Sequence, residues 1–263
     1  MSFRRFSSID GEKRNIFSRI INFISGHTPF VISTKGSDLS GKNLLLSRIF
    51  PTTIGTGIFL VLAVSLFTTS CTTKPKELSL SEYNSFIRTP ENGLIKQRST
   101  TGLALEMRYL PVDYLVAQDL ESEPRGKVDS LRALYKNSYT FLLTIAPNGE
   151  VKGNQDVMYQ DIQTIEEYKA RAMEMNFSMA NYITLRTNKG EVKPVLATLE
   201  NTYSLTKDRK IYLVFSDKDE QIWENSKEMD ITFQDKLFHS GIHHFVFQTA
   251  DIKTVPQLTF KEE

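Results

Sequence analysis

The sequence predicts an α+β fold that is predominantly antiparallel β, a sandwich or barrel-like sheet with one or two packed helices. Three observations carry this expectation. Apolar and polar residues alternate in run after run from Leu103 onward. Asn, Asp, Gly and Pro punctuate those runs where turns belong, and only two stretches change to helical spacing. With 40% hydrophobic and 24% charged residues, the 263-residue chain has material for a sizeable core.

Residues 1–53 form a basic leader, with eight Lys/Arg against three Asp/Glu, while the remainder holds 24 against 28. A mildly acidic body without clustered cations and interleaved aromatics repels phosphate backbones, which excludes nucleic acid as a partner. Within the leader, Ile16, Ile20, Phe23 and Ile24 share one helical face opposite Arg14, Asn15 and Arg19, a pattern suited to a membrane surface. GSDLSGKN, residues 36–43, nearly fits a phosphate-binding loop, but Asn43 stands where the magnesium-binding hydroxyl belongs.

Residues 54–70 form an uncharged apolar segment that ends in Thr68, Thr69 and Ser70 before Cys71, the single cysteine. Its strongly apolar part is about 14 residues, the size of a signal h-region and short of the roughly 20 that span a bilayer. These residues resemble a bacterial lipoprotein signal, with Ser70 as the small residue before the Cys and Thr68 standing where Leu is favoured. The resemblance implies that Cys71 becomes a lipidated N-terminus, so the membrane is a partner through that lipid. The mature domain then keeps no thiol for a disulfide.

Residues 71–90 are expected to be the tether. Ser79 and Glu82 make a capping-box pattern before Leu80, Tyr83 and Ile87, predicting a small helix that ends before Pro90. One globular β-rich domain is assigned to residues 91–263. Its first strand places Leu103, Leu105, Met107 and Tyr109 on one face. A helical stretch from Pro111 to about Leu134 is broken at Pro124-Arg125-Gly126. Strands follow at Tyr139–Ile145, ending at Pro147-Asn148-Gly149, at Ile183–Thr187 and Val192–Thr202 around Asn188-Lys189-Gly190, at Ile211–Phe215, at Ile231–Phe233 and from Phe245. The clearer helix starts at Thr164, boxed with Glu167, and buries Ile165, Tyr168, Ala172 and Met175 while Glu167 and Arg171 pair outside. Phe141, Leu143, Phe215 and Phe247 are the expected core.

Chemistry-bearing residues are sparse. FHSGIHHF, residues 238–245, gathers three of the four histidines, which makes His239 and His243 the candidate ligands for zinc or copper. Strand alternation there aims His243 and His244 at opposite faces, so no metal and no cofactor is expected. Asp217-Lys218-Asp219-Glu220 lacks the glycine a calcium loop needs and reads as a hairpin turn. No G-x-S-x-G is present and no catalytic residue is assigned, although Ser240 lies among the histidines. Asp129-Ser130-Leu131 matches a short O-glycosylation signal and is given no weight.

YNSFIRTPENGL, residues 83–94, and RYLPVDYLV, residues 108–116, are similar to segments of uncharacterised bacterial lipoproteins. With the Cys71 signal, this implies a lipid-anchored extracytoplasmic binding or assembly module of the bacterial envelope, non-catalytic, with an envelope protein or small ligand as partner. Acidic residues do not crowd the positions after Cys71, which places the expected location at the outer membrane, facing the periplasm. The competing expectation is an envelope hydrolase with a dispersed site.

Overall fold

The computed structural model describes residues 77–122, 127–148, 156–200, 206–216 and 222–260. The leader, the apolar segment, Cys71, the loop-like stretch 36–43 and the acidic stretch 217–220 lie outside these residues. The fold is α+β, built on two antiparallel sheets of five and four strands, with no closed barrel among the described residues.

The five-stranded sheet runs β2 (Ile95–Ser99), β3 (Leu103–Leu110), β4 (Ser138–Pro147), β8 (Arg209–Ser216), β7 (Leu196–Leu199). The four-stranded sheet runs β10 (Gly241–Gln248), β9 (Glu228–Asp235), β5 (Ile183–Thr187), β6 (Gly190–Val192). Alternation puts Leu105, Met107, Phe141, Leu143, Ile211, Leu213 and Phe215 on the inner face of the first. They meet Leu185, Ile231, Phe233, Phe245 and Phe247 of the second in one core, and all four expected core residues are fully buried. Phe141 is the hub, its ring 5.1 Å from Phe247, 5.4 Å from Tyr109 and 6.0 Å from Phe215.

The outer face of the five-stranded sheet is also covered. Helices α2 (Val112–Ser122) and α3 (Val128–Tyr135) bury Leu110, Leu142, Tyr212 and Val214 beneath Leu115, Val116, Leu131 and Tyr135. This explains why FLLTI and IYLVF are nearly unbroken apolar runs: a central strand covered on both faces has no polar side to show. Among the described residues the outer face of the four-stranded sheet has no such cover, and Arg186, Gln234, His244 and Gln248 are exposed there.

The expected strand over 192–202 is divided. Lys193-Pro194-Val195 carries the chain from β6 in one sheet to β7 in the other, at a proline that has no N–H for a ladder. The boundary at residue 91 also moves. β1 (Glu77–Leu78) pairs in parallel with β11 (Gln257–Leu258), and helix α1 (Leu80–Arg88), capped by the Ser79–Glu82 box, sinks Tyr83 and Ile87 into the main core. The segment assigned to the tether from residue 77 onward is therefore part of the domain. Gly93, at φ 78°, ends the turn after α1 where the Asp251 carboxylate leaves no room for a Cβ.

The sandwich has two distinct ends. At one lie β1, β11, the start of α2 and the short helix α5 (Thr249–Lys253). Asp113 holds this end together, accepting both Arg132 N–H groups at 2.7 and 3.0 Å and the Leu258 N–H at 2.9 Å. At the other end Arg209 donates to Asp156, and helix α4 (Ile165–Phe177) closes the core with Met175.

Candidate functional site

The histidine-bearing loop is built by one carboxylate. Asp235, the last residue of β9, accepts from the Leu237 and Phe238 N–H groups at 2.9 and 3.0 Å through one oxygen. Its other oxygen accepts from the Ser240 N–H at 2.9 Å and from the Ser240 hydroxyl. An Asp at a strand end bonding to the next backbone N–H groups is a local turn device. The loop then turns through His239 at φ 58° and Gly241 at φ 99° into β10.

His243 points inward and is 7% exposed, with Nε2 2.8 Å from Ser240 Oγ. The hydroxyl has one proton, and it goes to Asp235. Toward His243 the serine oxygen can only accept, so Nε2 carries the hydrogen. His243 is thus not a base poised to activate Ser240, and the order Asp–Ser–His differs from a nucleophile held by a histidine that a carboxylate orients. Burial holds the His243 pKa below its ordinary value, with Arg98 and His244 adding to the effect and Asp235 opposing it.

His244 faces the other way, as alternation requires. Its Nδ1 lies 2.8 Å from Asp230 Oδ2 and 3.3 Å from Thr232 Oγ1 on the uncovered sheet face. His239 is exposed in the loop. The structure does not bring the three histidines together. Among the described residues no three His, Cys, Asp or Glu side chains are grouped to hold a metal.

The loop connects to α4 through Arg171. Expected to pair with Glu167 on the exposed side, Arg171 instead turns inward. It donates to the carbonyls of Met158 at 3.2 Å, Gln160 at 2.5 Å and Leu237 at 3.2 Å, and its guanidinium lies 4.6 Å from the Phe238 ring centre. Glu167 is taken by the helix start, accepting from the Gln163 and Thr164 N–H groups. A capping carboxylate bound to two backbone donors is not free to swing to the next turn. Sequence reading missed Arg171 and Asp235 as organisers, because their partners are backbone groups of distant segments that leave no pattern in the side chains.

The outward side of α4 displays Met173 and Phe177, one turn apart and 61% and 76% exposed. Ile165, assigned to the buried face, is also exposed, because it is the first residue of the helix and stands beyond the edge of the core.

No family model matches this chain, and no curated protein matches it. Among solved structures, a protein of unknown function from Burkholderia pseudomallei is similar over 70% of this chain and 96% of its own, at 12% identity and a TM-score of 0.31. No helix among the described residues is long and apolar enough to cross a membrane.

Proposed function

We propose that the chain is a lipid-anchored binding or assembly module of the bacterial envelope, held through Cys71 and engaging a protein partner with the α4 end of its sandwich. The observation that carries this reading is the pair Met173 and Phe177, the two most exposed large apolar side chains among the described residues, on the helix that Arg171 seats at the end of the sandwich away from the β1–β11 pairing. Glu77 enters beside β11, and six residues from Cys71 reach at most about 20 Å. Strand β4, ten residues long, spans roughly 33 Å between the two ends. A lipid on Cys71 would hold the β1–β11 end near the bilayer and leave Met173 and Phe177 facing away from it.

Two experiments test the two halves of the proposal separately. Cys71→Ala is expected to abolish lipid labelling and release the protein from the membrane fraction; labelling that survives overturns the anchor. A photocrosslinking amino acid in place of Phe177 is expected to give one adduct of defined mass in cells. Met173→Glu should remove that adduct while changing stability by no more than about 0.5 kcal/mol, as for an exposed site. Equal adducts from a crosslinker in place of Gln234, on the uncovered sheet face, would overturn the docking end.

A further inference from the structure

We propose that His243 is a proton sensor whose charge state sets how firmly α4 is clamped to the end of the sandwich. The hydrogen bonds run without a break. His243 donates to Ser240, Ser240 donates to Asp235, and Asp235 fixes the N–H groups of Leu237 and Phe238. Leu237 offers its carbonyl, and Phe238 its ring, to Arg171 of α4. The same guanidinium holds the carbonyls of Met158 and Gln160, so a single side chain joins the loop, the helix and the 3-10 turn Val157–Tyr159.

A second ring proton, at Nδ1, finds no acceptor among the described residues. Three charged or titratable groups act on the imidazole, two from its own side of the strand and His244 from the opposite face. Arg98 of β2, its guanidinium 5.9 Å from the Phe245 ring centre, and the adjacent His244 both oppose an added positive charge. Asp235 of β9 favours it, but that carboxylate already accepts three N–H groups and one hydroxyl. Burial outweighs the Asp235 attraction and disfavours the charged ring in the folded state. The protonated ring is therefore driven toward water, a short path because β10 is an edge strand. Leaving removes the strut under Ser240 and loosens the platform on which Arg171 rests.

The sign follows from linkage. A histidine held below its ordinary value contributes stability that is complete above its unfolded value of 6.5 and is lost as pH falls below it. Acid thus unclamps α4 while the sheets stay paired. The consequence for a docked partner, release on acidification, rests on the reading of α4 as the docking end; the switch does not.

Hydrogen exchange on the purified full-length protein in detergent, without any partner, tests the switch by itself. Between roughly pH 7.5 and pH 5.5, which spans ordinary imidazole titration, amides of residues 236–240 and of α4 are expected to lose protection several-fold after correction for intrinsic rates. Amides of β3 and β4 should hold theirs. His243→Gln should flatten the response and His244→Gln should leave it in place. Should His243→Gln fold poorly, Ser240→Ala cuts the same chain: the His243 ring still titrates by NMR while the response of α4 to pH disappears. A wild-type loss no larger in α4 than in β3, or a response that persists in His243→Gln or in Ser240→Ala, overturns the proposal.

Discussion

Phe141→Ala is expected to lower the unfolding free energy by about 3 to 5 kcal/mol, read from the midpoint of a urea transition at unchanged slope. The ring is fully buried on the central strand of the five-stranded sheet and touches rings from three other strands, Tyr109, Phe215 and Phe247. Truncation removes the transfer energy of the side chain and opens a cavity between two sheets that cannot collapse toward each other while their other side chains stay in place. It also forfeits three tilted or edge-on ring contacts, each worth roughly 0.5 to 1.5 kcal/mol beyond burial. A single domain commonly has only about 5 to 15 kcal/mol in total, so the variant should be marginal at physiological temperature. Phe177→Ala is the control of identical chemistry: its ring is 76% exposed, and the expected change is within about 0.5 kcal/mol. Similar losses at the two positions would contradict the burial on which the sandwich rests.

Asp156→Ala should cost about 3 to 5 kcal/mol, because it leaves a buried arginine without its counter-charge. The Arg209 and Asp156 side chains are 7% and 15% exposed, and the same carboxylate caps the turn Val157–Tyr159 by accepting the Met158 N–H at 2.8 Å. Arg209 would keep its bonds to the Thr206 and Asp208 carbonyls, but those neutral acceptors do not offset a desolvated cation. Removing both charges is a different experiment. The pair Asp156→Leu with Arg209→Met should recover most of the loss, since apolar groups of similar volume replace a buried ion pair at little net cost. Equilibrium unfolding of the two single variants and the double variant gives the coupling directly; strictly additive losses would mean that the ion pair is not the source.

Legibility in the sequence followed locality. β3, β4, β5, β8, β9 and β10 are readable because period-2 alternation reports on the inner face of a strand whatever its neighbours are. The two capping boxes and the break between α2 and α3 are readable for the same reason, since a cap is decided within four residues. β2 was missed. Its inward positions hold Lys96 and Arg98, whose cations lie over Phe247 and Phe245 at the seam between the sheets, so the strand carries no apolar row. The division of residues 190–199 between two sheets was missed too, because sheet membership depends on partners far away in sequence. At the histidine loop, alternation correctly separated His243 from His244. The chain from His243 to Arg171 could not be read, because it passes through backbone groups, and every residue has those.

The parallel pairing of β1 with β11 sets an order of events during synthesis. All strands of both sheets exist once Gln248 has been made, yet Glu77 and Leu78 still lack their neighbours, and the Asp113 carboxylate still lacks the Leu258 N–H. The segment beside the proposed anchor is among the first parts of the domain to emerge and the last to be secured, because its partner lies some 180 residues further along the chain. A chain truncated after residue 248 would keep two assembled sheets and an unsecured entry strand. In this fold Gln257 and Leu258 act as a latch that closes over the entry strand only after both sheets are complete.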